Sequence, residues 1–137
     1  MQLINNETEK KLKILEKQSE FCKLFTNPHR LQILNVLMEE IPSFGEDTEQ
    51  VRKTRRELTV TQIHEYIMKE FNVEISQTTL SQNLSLLRKN GAVMTRRDGN
   101  NIYYKILNPK LMIACGIVRE IVIDRLKREQ SLIPEQG

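Results

Sequence analysis

Between Ser76 and Ile106 the chain reads SQTTLSQNLSLLRKNGAVMTRRDGNNIYYKI, and no other stretch limits the fold as much. Leu80, Leu84 and Leu87 recur at steps of four and three, so they share one face of a helix. Ser76 is a good N-cap, because its hydroxyl can accept from an unpaired backbone N–H of the first turn. Gly91 ends the helix cheaply by adopting the left-handed conformation. Val93 to Arg97 and Ile102 to Ile106 then read as two strands, joined by the turn Asp98-Gly99-Asn100-Asn101. Turned away from the leucines are Thr78, Gln82, Ser85 and Lys89, flanked by Thr79 and Ser81. That face is small, hydrogen-bonding and free of acids, as a helix laid in a DNA major groove must be.

Charge supports the same reading. The net charge of the 137 residues is only +3. Residues 1–50 carry six basic and nine acidic side chains, whereas residues 76–107 carry Arg88, Lys89, Arg96, Arg97 and Lys105 against Asp98 alone. A basic patch on a helix–hairpin unit is the footprint expected for a phosphate backbone. The competing reading is a set of solvated surface charges. Apolar residues make up 39% of the chain and there is no tryptophan, so one copy has a modest core and oligomerisation would add burial. The length suits a single domain, 1–137. Two cysteines far apart, no signal-peptide pattern and no apolar run longer than Leu111 to Val118 point to a soluble cytoplasmic protein that does not enter a membrane.

In chain order, residues 1–6 are expected to fray. Residues 8–26 form an amphipathic helix with Leu12, Leu15, Ser19 and Cys22 along its seam and Lys10, Lys13, Lys17 and Glu20 opposite. Asn27 and Pro28 start a second helix, apolar on most sides from Leu31 to Met38, that ends near Glu40. Residues 41–57 read as an insertion loop in which Thr48 to Arg56 has some helical character. Its cluster Arg52, Lys53, Arg55 and Arg56 could be a second DNA-backbone contact, but a solvated, partly mobile insertion is the favoured reading. Residues 61–90 make a helix-turn-helix and 92–107 its wing. The last helix, 109–130, bears a stripe of Leu111, Cys115, Val118, Ile121 and Val122 that exceeds what one copy can cover. With Leu15 and Cys22 it forms the candidate dimer interface; the alternative is packing onto the chain's own first helix. The expected fold is therefore mainly α with a small β-hairpin wing, a winged helix-turn-helix dimerised through its N- and C-terminal helices.

On these residues the chain resembles the ArsR/SmtB winged helix-turn-helix repressors. The matching stretches are LFTNPHRLQIL (Leu24 to Leu34), Val60-Thr61-Gln62-Ile63, QTTLSQNLSLLRKNGAV (Gln77 to Val93) and RRDGNNIYYKI (Arg96 to Ile106). The resemblance implies a homodimeric repressor on a near-palindromic double-stranded operator, released by an unidentified effector. It carries Gln77, Thr78, Thr79, Ser81 and Gln82 onto the groove and Arg96, Arg97 and Asn100 onto phosphate or the minor groove. Gln82 is the candidate for a base contact, since an amide pairs bidentately with adenine. Arg30 takes a structural or phosphate role. Asn83 stands where the family usually has histidine and Ala92 where it has a bulky apolar residue, and the first motif helix and residues 41–57 are longer than usual.

The metal ligands that many relatives carry are not in the pattern. Thr61 to Phe71 has no cysteine, residues 109–130 have Asp124 but no histidine, and His29 and His64 have no ligand partner at helical spacing. No metal or cofactor is implied. A thiol switch between Cys22 and Cys115 remains an alternative, weighed against simple burial of a small hydrophobic residue. No nucleophile–histidine constellation or phosphate loop suggests an enzyme. A protein-interaction module is the other alternative, although its surface should be richer in apolar anchors.

Overall fold

The computed structural model describes residues 5–129. Of residues 1–6, expected to fray, 1–4 lie outside that range, as does residue 130 of the last helix, whereas Asn5 and Asn6 are the cap and first residue of a helix and are not frayed. Helix α1 (Asn6–Cys22) is capped by Asn5, whose side chain accepts from Thr8 N at 2.8 Å. None of its residues is buried. A 3-10 turn, Lys23–Phe25, sets Phe25 edge-on against Phe21 and buries Leu24. Asn27 then caps α2 (Pro28–Val36), with Pro28 in the first turn, where no N–H is needed.

Helix α2 ends at Val36, short of the expected Glu40. The reason is tertiary. Met38 forms an isolated antiparallel bridge with Arg55, Glu39 N donates to Thr54 O at 2.8 Å, and Arg56 N donates to Leu37 O at 2.9 Å. Pairing with the returning chain captures backbone groups that a longer helix would have used.

The same contacts tie parts of 41–57 into the fold, while residues 43–47 and the cations Arg52 and Lys53 stay exposed as expected of a solvated insertion. Asp47 caps the short helix α3 (Thr48–Arg52), and Val51 is 1% exposed, with α3 packed on α6 (Pro109–Arg128). Arg55 Nη1 donates to the carbonyls of Ile106 and Leu107 at 2.8 and 3.3 Å. Arg56 Nη1 donates to Val36 O at 3.2 Å, and its guanidinium lies 4.5 Å from the centre of the Tyr66 ring and 3.6 Å from Glu70. These two arginines hold the fold together. Pro42 is buried against Gly116, where a Cβ would collide with the Pro42 carbonyl, so α6 needs a glycine there.

Helix α4 (Val60–Phe71) starts in a capping box between Thr59 and Gln62 and ends on Asn72 at φ +53°. Ile63 and Ile67 point inward. Helix α5 (Gln77–Lys89) follows, capped by Ser76, and buries Leu80, Leu84 and Leu87 fully. Gly91 at φ +79° turns the chain into β1 (Val93–Asp98), which pairs antiparallel with β2 (Asn101–Ile106), Val93 opposite Ile106 and Arg96 opposite Tyr103. Leu58 adds a bridge to Tyr104 on the other edge of β2. One core joins α2, α4, α5, the base of the hairpin and the first turns of α6. Among the described residues no helix is long and apolar enough to cross a membrane.

Candidate nucleic-acid interface

The leucine stripe fixes how α5 is rotated. With Leu80, Leu84 and Leu87 inward, Gln77, Thr78, Ser81, Gln82, Ser85 and Lys89 are all exposed. The helix contains no acidic residue, and Arg88 and Lys89 occupy its last turn. Thr79 departs from this set. It is half-buried, its N–H donates to Ser76 Oγ at 3.1 Å, and its hydroxyl accepts from the same Ser76 oxygen at 2.9 Å. Its side chain takes part in the helix cap, which leaves it less open than its neighbours on this face.

Asn83 and Arg30 form a linkage that sequence reasoning did not pair. Asn83 is 8% exposed; its Nδ2 donates to Thr79 O at 2.9 Å and its Oδ1 accepts from Arg30 Nη1 at 3.0 Å. Arg30 also donates from Nε to Leu24 O at 2.8 Å and from Nη2 to Lys23 O at 3.3 Å. Three guanidinium nitrogens are thus committed within the chain, which makes Arg30 a clamp between the 3-10 turn and α5. Its structural role was one of the two open readings. A long cation at a helix start and a polar residue at the core edge of α5 were the available signals, but no spacing rule connects positions so far apart.

The two wing arginines differ. Arg96 Nε donates to Glu57 Oε2 at 2.9 Å, Arg96 Nη1 lies 3.8 Å from Asp98 Oδ2, and the guanidinium carbon sits 4.8 Å from the Tyr103 ring centre. The Arg96 hydrogen bond, helped by nearby Lys105 and Arg55, holds the Glu57 carboxyl below its ordinary range. Arg97 is exposed opposite Ile102 and has no ion pair among the described residues. Asn100 is exposed at the tip of the hairpin. Glu57 carries no motif of its own and was not singled out in the sequence.

The terminal helices expose the second candidate surface. On α1, Leu12, Ile14 and Leu15 are at least half exposed, Ile14 reaching 64%, and Cys22 is exposed. On α6, Val118, Ile121 (62%) and Val122 are exposed. Leu111 is the exception in the expected interface: it is 9% exposed and packed into the chain's own core. Cys115 is half-buried, and desolvation pushes its thiol up to about 11. Cys22 and Cys115 are both free. That shift makes Cys115 a poorer attacking thiol than an exposed cysteine. Among the described residues no group of three or more His, Cys, Asp or Glu side chains could hold a metal ion.

No family model matches the chain. Individual proteins do. The nodulation protein NolR of Rhizobium meliloti is 30% identical over 104 residues, 76% of this chain and 67% of NolR. The uncharacterised HTH-type transcriptional regulator Rv0081 of Mycobacterium tuberculosis is 29% identical over 105 residues, 77% of this chain and 74% of its own. Among solved structures, NolR from Sinorhizobium fredii superimposes with a TM-score of 0.59 at 30% identity, covering 88% of this chain and 96% of that one. The winged helix-turn-helix DNA-binding domain of Mb0332 from Mycobacterium bovis, described as homodimeric and as a possible ArsR-family regulator, superimposes with a TM-score of 0.63 at 23% identity, covering 98% of this chain and 100% of that one.

Proposed function

The chain belongs to the ArsR family of winged helix-turn-helix transcriptional regulators, and from that premise we propose that it works as a homodimeric repressor which lays α5 of each copy into the major groove of a two-fold operator. It is a DNA-binding regulator and not an enzyme. The observation that carries the groove assignment is the rotation of α5, which buries three leucines and presents Gln77, Thr78, Ser81, Gln82, Ser85 and Lys89 outward with no carboxylate among them. Gln82 is the base-reading residue in this account, and Ser81, Ser85 and Lys89 position the helix on phosphate. Arg96, Arg97 and Asn100 bring the wing to the flanking backbone. The exposed faces of α1 and the distal half of α6 cover one another between two copies, with Leu15, Cys22, Val118, Ile121 and Val122 in the contact. A dimer spanning an operator blocks access to the promoter, which is repression by occlusion.

Titrating labelled promoter DNA from upstream of the protein's own gene at several salt concentrations tests this reading. The logarithm of the affinity should fall linearly with the logarithm of salt, with a slope set by the number of phosphates neutralised. No binding at low salt would favour a protein-interaction module instead.

A further inference from the structure

Of the two wing arginines, only Arg96 has a fixed orientation, and its fixture comes from outside the wing. Leu58 N donates to Tyr104 O at 3.0 Å and Tyr104 N donates to Leu58 O at 2.8 Å, an isolated antiparallel bridge that holds residues 57–58 alongside β2. That pairing sets Glu57 beside Lys105, on the edge of β2 away from β1, from where its carboxylate reaches Arg96 on β1. Arg96 and Tyr103 face each other in the β1–β2 register, which places the guanidinium over the ring. The result is an arginine bound at Nε by a carboxylate and supported on one face by an aromatic ring. Its Nη edge has no acceptor among the described residues closer than Asp98 Oδ2 at 3.8 Å. A guanidinium is a planar fork that binds phosphate through two parallel N–H groups. Holding the Nε and the ring plane leaves that fork ordered before DNA arrives.

We propose that Glu57 is a positioning residue for DNA binding: it orients Arg96 against Tyr103 so that the guanidinium meets a backbone phosphate without first having to be ordered. This rests on the proposed contact between the wing and DNA. Immobilising a long side chain on binding costs affinity, and Glu57 removes that cost for Arg96 while Arg97 retains it. The carboxylate also carries a negative charge toward the duplex, so its two effects oppose each other. Glu57→Gln separates them, because the amide oxygen still accepts from Nε while the charge is gone. Glu57→Ala removes both.

The test is a double-mutant cycle on full-length protein, read as affinity for a mixed-sequence DNA duplex at low salt, because a phosphate contact does not depend on sequence. Arg96→Ala should weaken binding on the order of tenfold in the wild-type background and reduce the salt slope by about one. In the Glu57→Ala background the same change should cost about twofold or less, since the arginine is no longer held. Glu57→Gln should bind at least as tightly as wild type and keep the full cost of Arg96→Ala, a rescue that a role confined to wing stability would not produce. An equal cost of Arg96→Ala in the wild-type and Glu57→Ala backgrounds would overturn the proposal. So would a wild-type protein that binds DNA with no contribution from Arg96. Failure of the wild type to bind any duplex would remove the DNA-contact reading itself, and this proposal with it.

Discussion

Helices α1 and α5 are written in the same code and finish in opposite environments. Each carries apolar residues at helical spacing on a polar ground. On α5 the stripe is gone from solvent, with Leu80, Leu84 and Leu87 fully buried. On α1 Leu12, Ile14 and Leu15 stay exposed and no residue is buried. Helix α6 shows both conditions along its length: Leu111 and Met112 lie in the core, and past Gly116 no described residue is buried. The difference separates what one chain stabilises alone from what the proposed dimer would cover with a second copy. Burial of apolar area is worth roughly 25 cal/mol per Å², so leaving three helical apolar side chains in water on α1 and three on α6 is a standing drive to associate.

The comparison breaks most visibly if the α6 face is charged. Ile121→Asp should leave the monomer folded, convert the dimer to monomer in sedimentation, and weaken operator binding by roughly 10²-fold or more as two linked half-site contacts become independent. A fully dimeric variant would end the assignment of this face. The mirror experiment is Leu84→Ala on α5. It should cost about 2–5 kcal/mol in urea unfolding, because a fully buried leucine leaves a cavity. The loss should come from the chain's own core and survive in the Ile121→Asp background; a loss that vanished there would mean that α5 also depends on the partner. Gln82→Ala tests the outward side of α5. It should leave unfolding unchanged and reduce discrimination among operator variants by about 1–3 kcal/mol if the contact is bidentate. Intact preference would mean that the register of α5 on the bases is wrong.

The smallest effect concerns the Cys115 thiol, packed against the chain's own core. Burial raises the Cys115 thiol from 9.0 to about 11, so the native state holds its proton where the unfolded state has lost it. The thiol's contribution to stability is therefore complete below about 9 and declines as pH rises toward 11, and alkylation of Cys115 should keep accelerating through that window. A rate that levels off near 9 would contradict the burial.

The recognition unit was legible because its rules are local. Leucine spacing, the Ser76 cap, Gly91 and the Asp98–Asn101 turn each act within a few residues, and together they located α5 and the hairpin to within a residue or two. Residues 41–57 were harder because a run of arginines looks alike whether it is solvated or bonded to carbonyls. The partners of Arg55 are Ile106 and Leu107, some 50 residues away, and no pattern in the run announces them. The early end of α2 has the same origin in the Met38–Arg55 bridge. Leu111 packs into the chain's own core although the stripe through Leu111, Cys115, Val118 and Val122 is continuous, because periodicity does not mark where a helix leaves that core. Thr79 and Asn83 have the composition of a groove-facing helix, and only their bonds to Ser76, Arg30 and the Thr79 carbonyl reveal that they serve the cap and the clamp.

The central claim is that two copies present α5 to successive major grooves of one operator. Selecting bound sequences from a random duplex pool with the purified protein tests it directly. The account predicts enrichment of an inverted repeat whose half-site centres lie about 10–10.5 base pairs apart, with base preference concentrated where Gln82 reaches the groove. Enrichment of a single unrepeated half-site, or of no sequence at all, would contradict it.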